Sequence, residues 1–341
     1  MLVTLAAFVV VVAGLKYSSA ILLPVLIAVF LTVLGAPGVL WLERRRVPAW
    51  AAVLLVMIGL VAIVVSFGAV LSTAVRSFND ALPGYQRALS ELVARALEWS
   101  AELPIDLPQN AAEGTFEPSA VWTMLTSLFG GVLAALQRIV LVLIIVVFML
   151  LEVAGFPRKL RAAMDDPEAD LGHWGDATRL VLRYLVIKTG ISVTTGVLIG
   201  GWLWILGVDF PILWGLVAFM LNYIPSIGSF LAAIPALLVA SVQPGLAVGS
   251  VVLAASGYLV VNLVLGNIIE PQLMGRRLGL SPLVVFLSLV FWGWVWGPFG
   301  MLLSVPLTMM VRIVLEHRED TRWIAVLLAS APGSESTPED G

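Results

Sequence analysis

The chain has 341 residues, of which 60% are hydrophobic and 12% charged, with a formal net charge of −3 and no cysteine. Soluble domains carry about 25% charged residues, so this composition cannot clothe a water-soluble particle of this size. It excludes a soluble enzyme, a nucleic-acid binder, which needs a basic face, and a largely disordered chain. The expected class is an all-α polytopic membrane protein with the lipid bilayer as its solvent.

A membrane-crossing helix needs about 20 apolar residues. Apolar runs fall at 18–41, 49–75, 139–157, 187–206, 212–242, 246–265 and 283–313, after a shorter run from Leu2 that stops at Lys16. That first run is not expected to be a cleaved signal peptide, because it lacks a basic leader and apolar residues resume at Ile21. Segment 1–75 reads as amino-terminal membrane helices for scaffolding and subunit contacts, 123–157 as a further span and 316–341 as a cytoplasmic tail with a disordered end. Between them lie a polar, extracytoplasmic helical segment, 76–122, and a cytoplasmic amphipathic segment, 158–186. In the first, Asn79 and Asp80 are predicted to cap a helix with Pro83 in its first turn. Leu82, Tyr85, Leu89, Leu92, Val93 and Ala96 would form its apolar face. In the second, an acidic turn (Asp165, Asp166, Pro167, Glu168) precedes an amphipathic Leu180–Ile187 stretch.

Lysine and arginine concentrate on the cytoplasmic side of membrane proteins. With both termini inside, 14 of the 19 basic residues fall on the inner face, among them Arg44 to Arg46, Arg158 to Lys188, Arg276 and Arg277. Lys16, Arg76, Arg87, Arg95 and Arg138 fall outside. This topology makes the two overlong runs, 212–242 and 283–313, each begin and end on one face. Both carry glycine and proline near the middle. They are predicted to be re-entrant helical hairpins dipping in from opposite sides, with about eight membrane segments in all. Irregular backbone at membrane depth needs protein or a wet cavity around it.

Unit 187–243, a span plus an outside-entering hairpin, is then inverted relative to unit 244–315. Ile227-Gly228 followed by Ile234-Pro235 parallels Phe299-Gly300 followed by Val305-Pro306. Inverted repeats with broken helices are the build of many secondary transporters. The alternative is a pair of single, proline-kinked helices.

Few side chains offer chemistry. The two histidines, His173 and His317, sit in predicted cytoplasmic segments, and the chain has three lysines and no G-x-x-x-x-G-K-[ST] phosphate loop. No catalytic residue, cofactor or metal is expected, and any transport must draw on a gradient or a partner. The first tip, Asn222 to Ser229, combines Asn222, Tyr223, Ser226 and Ser229 with Pro225 and Gly228, which free backbone groups to face a solute. A purely structural turn explains the same residues. The second tip, Trp292 to Gly300, is aromatic, with Gly297, Pro298 and Gly300 setting its bend; an interfacial belt is the plainer reading. Glu270 follows Asn262 and Asn267 just before Pro271. An acid near a membrane-embedded site is a functional candidate; the alternative is a headgroup-level partner of Arg276 or Arg277. No acidic pair lies mid-membrane, which suits an uncharged polar solute better than an ion pump. The candidate binding set is therefore Asn222, Tyr223, Pro225, Ser226, Gly228, Ser229, Asn267, Glu270, Gly297, Pro298 and Gly300.

The 222–228 tip with Ile234-Pro235, the stretch Asn267-Ile268-Ile269-Glu270-Pro271-Gln272-Leu273-Met274-Gly275 and Leu280-Ser281-Pro282 resemble the autoinducer-2 exporter family. Gly297, Gly300 and Pro306 fit its last signature. The resemblance implies a bacterial inner-membrane protein assembled as a homopentamer, an elevator-like movement of the hairpin domain, and export of a quorum-sensing signal. Some members of the family resemble sodium or lithium/proton antiporters, so H+ or Na+ enters as a coupling ion. The tryptophan-rich second tip departs from the family pattern and leaves the substrate open. Two other readings stay beside the small-solute transporter: an antiporter depending on Glu270, and a non-transporting membrane scaffold.

Overall fold

Without water to satisfy them, backbone N–H and C=O groups in a membrane must pair within their own segment, which favours helices. The computed structural model describes residues 2–101, 130, 139–153, 172–225, 227–274, 280–316 and 321–328, and among these it contains helices and turns but no strand. The helices are α1 (Leu2–Tyr17), α2 (Ser19–Arg44), α3 (Ala49–Ala101), α4 (Ile139–Val153), α5 (Gly172–Ile205), α6 (Pro211–Leu221) and α7 (Gly228–Val242). There follow α8 (Val248–Val261), a π-helix (Asn262–Ile269), α9 (Glu270–Met274), α10 (Pro282–Glu316) and α11 (Arg322–Leu328). Five stretches among the described residues are long and apolar enough to cross a membrane: 19–44, 49–92, 180–205, 248–274 and 282–316. Their outward faces carry exposed Ile63, Val65, Val197, Trp204, Val252 and Leu283, the surface a lipid-facing helix needs.

Helix α5 is the spine. In its apolar stretch 39% of residues are buried, against 11% in α3, so partners surround α5 while α3 borders the bundle. Pro211 starts α6 from its first position, where a missing N–H costs nothing. Gly196 and Gly200, four apart on α5, meet Gly215 of α6. A Cβ on Gly215 would lie 2.7 Å from the Gly196 carbonyl oxygen and 3.2 Å from the Gly200 Cα. Small residues at this spacing let membrane helices approach backbone to backbone.

The long run 212–242 is two helices, α6 and α7, separated by a turn at 222–227. Each is too short to cross a bilayer alone. The run 283–313 lies in α10, broken at Gly297 (φ 64°, ψ −147°), a backbone state that disfavours any residue with a Cβ. Its arms fold back on each other: Trp292 Nε1 donates to Thr308 Oγ1 at 3.0 Å, across 16 residues of chain. A straight helix would hold those residues about 24 Å apart.

The two bends share one device. A Cβ on Gly228 would overlap the Leu221 carbonyl, and one on Gly300 the Trp292 carbonyl. The hairpins also approach α5 from opposite ends. The first rises from the 206–210 turn at the carboxy end of α5, and its tip reaches Thr189 through Tyr223. Val305 and Met309 of the second pack at the other end, against Val181, Tyr184 and Leu185.

One sequence expectation needs correction. Asn79, Asp80 and Pro83 do not start a helix; α3 runs through them as one 53-residue helix with Pro83 inside. Asn79, whose carbonyl loses its bond to the missing Pro83 N–H, is exposed. Tertiary packing overrides the local cap signal here: Leu71, Val75, Phe78, Tyr85 and Leu89 are buried in one core with residues of α5 to α8, and α3 itself packs on α6 and α7. Leu92 is exposed, and the Val93 and Ala96 side chains lie outside the described residues. Helix α5 is continuous from Gly172 to Ile205, through the expected junction at 186 and 187. The acidic turn 165–168 lies outside the described residues.

The far part of α3 is tied to the base of the first hairpin. The Tyr85 hydroxyl donates to Asp209 Oδ2, and the Asp209 N–H donates to Gln243 Oε1 at 2.9 Å. Gln243 Nε2 returns to the Gly207 carbonyl at 2.9 Å, closing the turn. Tyr85→Phe is expected to cost about 1.5–3 kcal/mol, the scale of a hydrogen bond to a charged group. Denaturant unfolding in detergent micelles would measure it.

Candidate functional site

Lys188, Ser192 and Thr195 stand at i, i+4 and i+7 on α5, so they share one face. All three are buried: 4%, 0% and 5% exposed. Apolar helices surround them, so each polar atom needs a partner inside the protein. Lys188 Nζ meets Glu270 Oε1 of α9 at 2.6 Å, a charge-assisted contact buried on the lysine side. Next to it Arg183 Nη2 donates to the Leu273 carbonyl at 3.3 Å. Asn222 Nδ2, at the end of α6, donates to Ser192 Oγ at 3.0 Å. The Tyr223 hydroxyl donates to Thr189 Oγ1 at 2.8 Å, and Thr189 Oγ1 in turn donates to the Leu185 carbonyl. The Phe30 and Phe219 rings meet Tyr223 edge-on and fix its plane.

Above this file lies a small cavity with room for about one water molecule or one hydroxyl group. Its polar lining comes from Thr195 of α5, Asn222 and Ser229 of the first hairpin, and Tyr258 and Asn262 of the following helix. Ser229 Oγ donates to Asn262 Oδ1 at 2.8 Å, joining the hairpin to the first residue of the π-helix. π-turns inside α-helices frequently mark functional sites. This one precedes Pro271, which has no N–H for the Asn267 carbonyl and crowds it.

Of the expected set, the structure brings Asn222 and Tyr223 onto α5 and Ser229 to the cavity beside them, bonded to Asn262. Pro225 caps the turn half-buried, Gly228 is buried against Leu221, and Ser226 lies outside the described residues. Glu270 takes Lys188 as its partner; Arg276 and Arg277 lie outside the described residues. Asn267 is exposed and absent from the cavity lining.

Gly297, Pro298 and Gly300 stand apart from the first tip. Their hairpin buries Trp292 and Trp296, stacked at 4.9 Å, against Val12, Leu15, Leu22 and Leu26. Trp296 Nε1 donates to the Leu15 carbonyl at 3.0 Å, and Lys16 Nζ sits 3.9 Å over the Trp294 ring. These aromatics fasten α1 and α2 to the second hairpin.

Lys188, Ser192, Thr195 and Tyr258 were missed as site residues by the sequence reading, and Asn262 entered it only as a neighbour of Glu270. The first three carried a signal, a polar stripe at helical spacing in an apolar run. Among the described residues, no cluster of three or more histidine, aspartate or glutamate side chains is placed to hold a metal ion.

Residues 5–320 match the family described as AI-2E family transporter. The chain is 41% identical over 327 residues to the "AI-2 transport protein TqsA" of Escherichia coli (strain K12), covering 96% of this chain and 94% of the relative. It is 35% identical over 327 residues to the "Putative transport protein YhhT" of the same organism, covering 96% and 93%. A "Putative transport protein" of Haemophilus influenzae is 37% identical over 335 residues, covering 96% and 95%. These relatives are named as transport proteins, not enzymes, and the match takes in the amino-terminal helices, both bent hairpins and the π-turn. The chain is a multi-pass membrane protein and belongs to the AI-2E transporter family.

Proposed function

We propose that the protein is a secondary transporter moving a small, uncharged polar solute, an autoinducer-2-like signal, across the bacterial inner membrane. Both hairpins are re-entrant in this reading, inverted repeats of one another, and move together as an elevator-like domain against α1 to α4. Both termini are cytoplasmic, H+ or Na+ is the coupling ion if one is used, and the working assembly is a homopentamer. The supporting observation is the uncharged cavity between α5 and the tip of the first hairpin, where five polar side chains enter a mainly apolar lining. Binding sites at the junction of broken helices are characteristic of secondary transporters.

The test is flux of labelled autoinducer-2 into proteoliposomes, with and without a proton or sodium gradient. Gly228→Leu is the matched variant: its side chain collides with the Leu221 carbonyl and must open the tip. Flux is expected to fall more than about tenfold, the effect of a displacement near 1 Å at a binding geometry. Absence of flux from folded, wild-type protein would defeat the reading.

A sodium or lithium/proton antiporter has its own supporting observation, the Glu270 carboxylate held 2.6 Å from a buried lysine. Intramembrane carboxylates mark ion and proton pathways. The charge-free pair Lys188→Met/Glu270→Gln separates the two readings. Loss of sodium/proton exchange with solute flux retained would favour the antiporter; solute flux retained with no exchange in the wild type would exclude it.

A further inference from the structure

Among the described residues, two buried hydroxyls in the cavity have no hydrogen-bond partner: Thr195 Oγ1 and the Tyr258 hydroxyl. Their residues are 5% and 6% exposed. Buried polar atoms are almost always paired, and each exception calls for a reason. These two come from different helices, α5 and α8, and line the same space. Asn222 and Asn262 are held beside them by bonds to Ser192 and Ser229.

We infer that Thr195 and Tyr258 form a recognition site for a hydroxyl group of an uncharged solute, seated between α5, the first hairpin tip and the start of the π-helix. A hydroxyl both donates and accepts, and each of these side chains can do the same. The remaining polar lining is amide and hydroxyl, with no charge. A hard cation would need carboxylates or several carbonyls, and the Glu270 carboxylate is engaged by Lys188. An anion would find no cationic side chain in the lining. The inference rests on the transporter reading and deepens it: the solute is held by α5 and α8 against one tip, and not between the two tips.

The test uses the full-length protein in lipid nanodiscs, with xylitol as a neutral polyol probe and ribonate and sodium as charged comparators. Thr195→Val and Tyr258→Phe each remove one hydroxyl at nearly constant volume. Because neither hydroxyl has a partner among the described residues, both variants are expected to unfold no more easily than the wild type. Xylitol binding is expected to weaken about tenfold in each, the scale of one hydrogen bond, with no competition from ribonate or sodium.

Equal xylitol affinity in wild type and both variants would overturn the site. So would displacement of xylitol by ribonate or sodium, or no xylitol binding at all, which would leave water as the occupant. Xylitol binding that depends on both hydroxyls, in a protein that moves no solute in proteoliposomes, would keep the site and defeat the transporter reading. Solute flux unchanged in both variants would do the reverse.

Discussion

Lys188→Met is expected to destabilise the protein by about 3 kcal/mol or more at pH 7, because it leaves the Glu270 carboxylate without its buried partner. Glu270→Gln is expected to cost more. Lys188 is the deeper of the two, with 5% of its side chain exposed against 18% for Glu270.

The double variant Lys188→Met/Glu270→Gln removes both charges and is expected to recover more than half of either loss, since buried pairs are often replaceable by neutral groups. Unfolding midpoints in detergent at pH 7 would measure all three. A Lys188→Met protein as stable as the wild type at pH 7 would show the pair to be energetically idle.

Gly215→Val is expected to separate α5 from α6. The added Cβ faces the Gly196 carbonyl oxygen at 2.7 Å and the Gly200 Cα at 3.2 Å, both backbone, so no side chain can swing aside. Overpacking of this kind costs about 1–3 kcal/mol and more where nothing yields; the upper end is expected here. Asn222 ends α6, so the displacement reaches its hydrogen bond to Ser192 as well. Gly201→Val is the control, because open space surrounds its Cβ position. It is expected to change stability by less than about 1 kcal/mol, the ordinary glycine-to-side-chain range in a helix. Parallel thermal unfolding of the two proteins would decide; equal midpoints would mean that the crossing relaxes freely.

The breaks at 222–227 and Gly297 were legible, since runs of 31 residues with central glycine and proline exceed what one span needs. Gly228 and Gly300 stood out in the sequence as members of a short similar pattern, and in the structure each lies against a carbonyl, of Leu221 and Trp292. Lys188 was not. Counting basic residues by side treats every lysine at a run's edge as a surface charge, and only the position of Glu270 in space reveals the partner that allows burial. The cap signal at Asn79, Asp80 and Pro83 misled because it is local, whereas helix continuity through it is secured by the distant surfaces that cover Phe78 and Tyr85. The π-helix left no periodic trace. Its apolar residues differ too little from those of an α-helix for spacing to separate the two.

Tyr258 and Glu270 both face α5, one at the cavity with Thr195 and the other at Lys188. They are 12 residues apart, and in an unbroken α-helix, at about 100° per residue, they would point about 120° away from one another. The wider turn between them absorbs that difference. Were Asn262–Ile269 to tighten to α geometry with Tyr258 fixed, Glu270 would swing a third of a revolution off α5 and part from Lys188. Cavity and ion pair are thereby phased by eight residues, so that a twist in this one segment is felt at both.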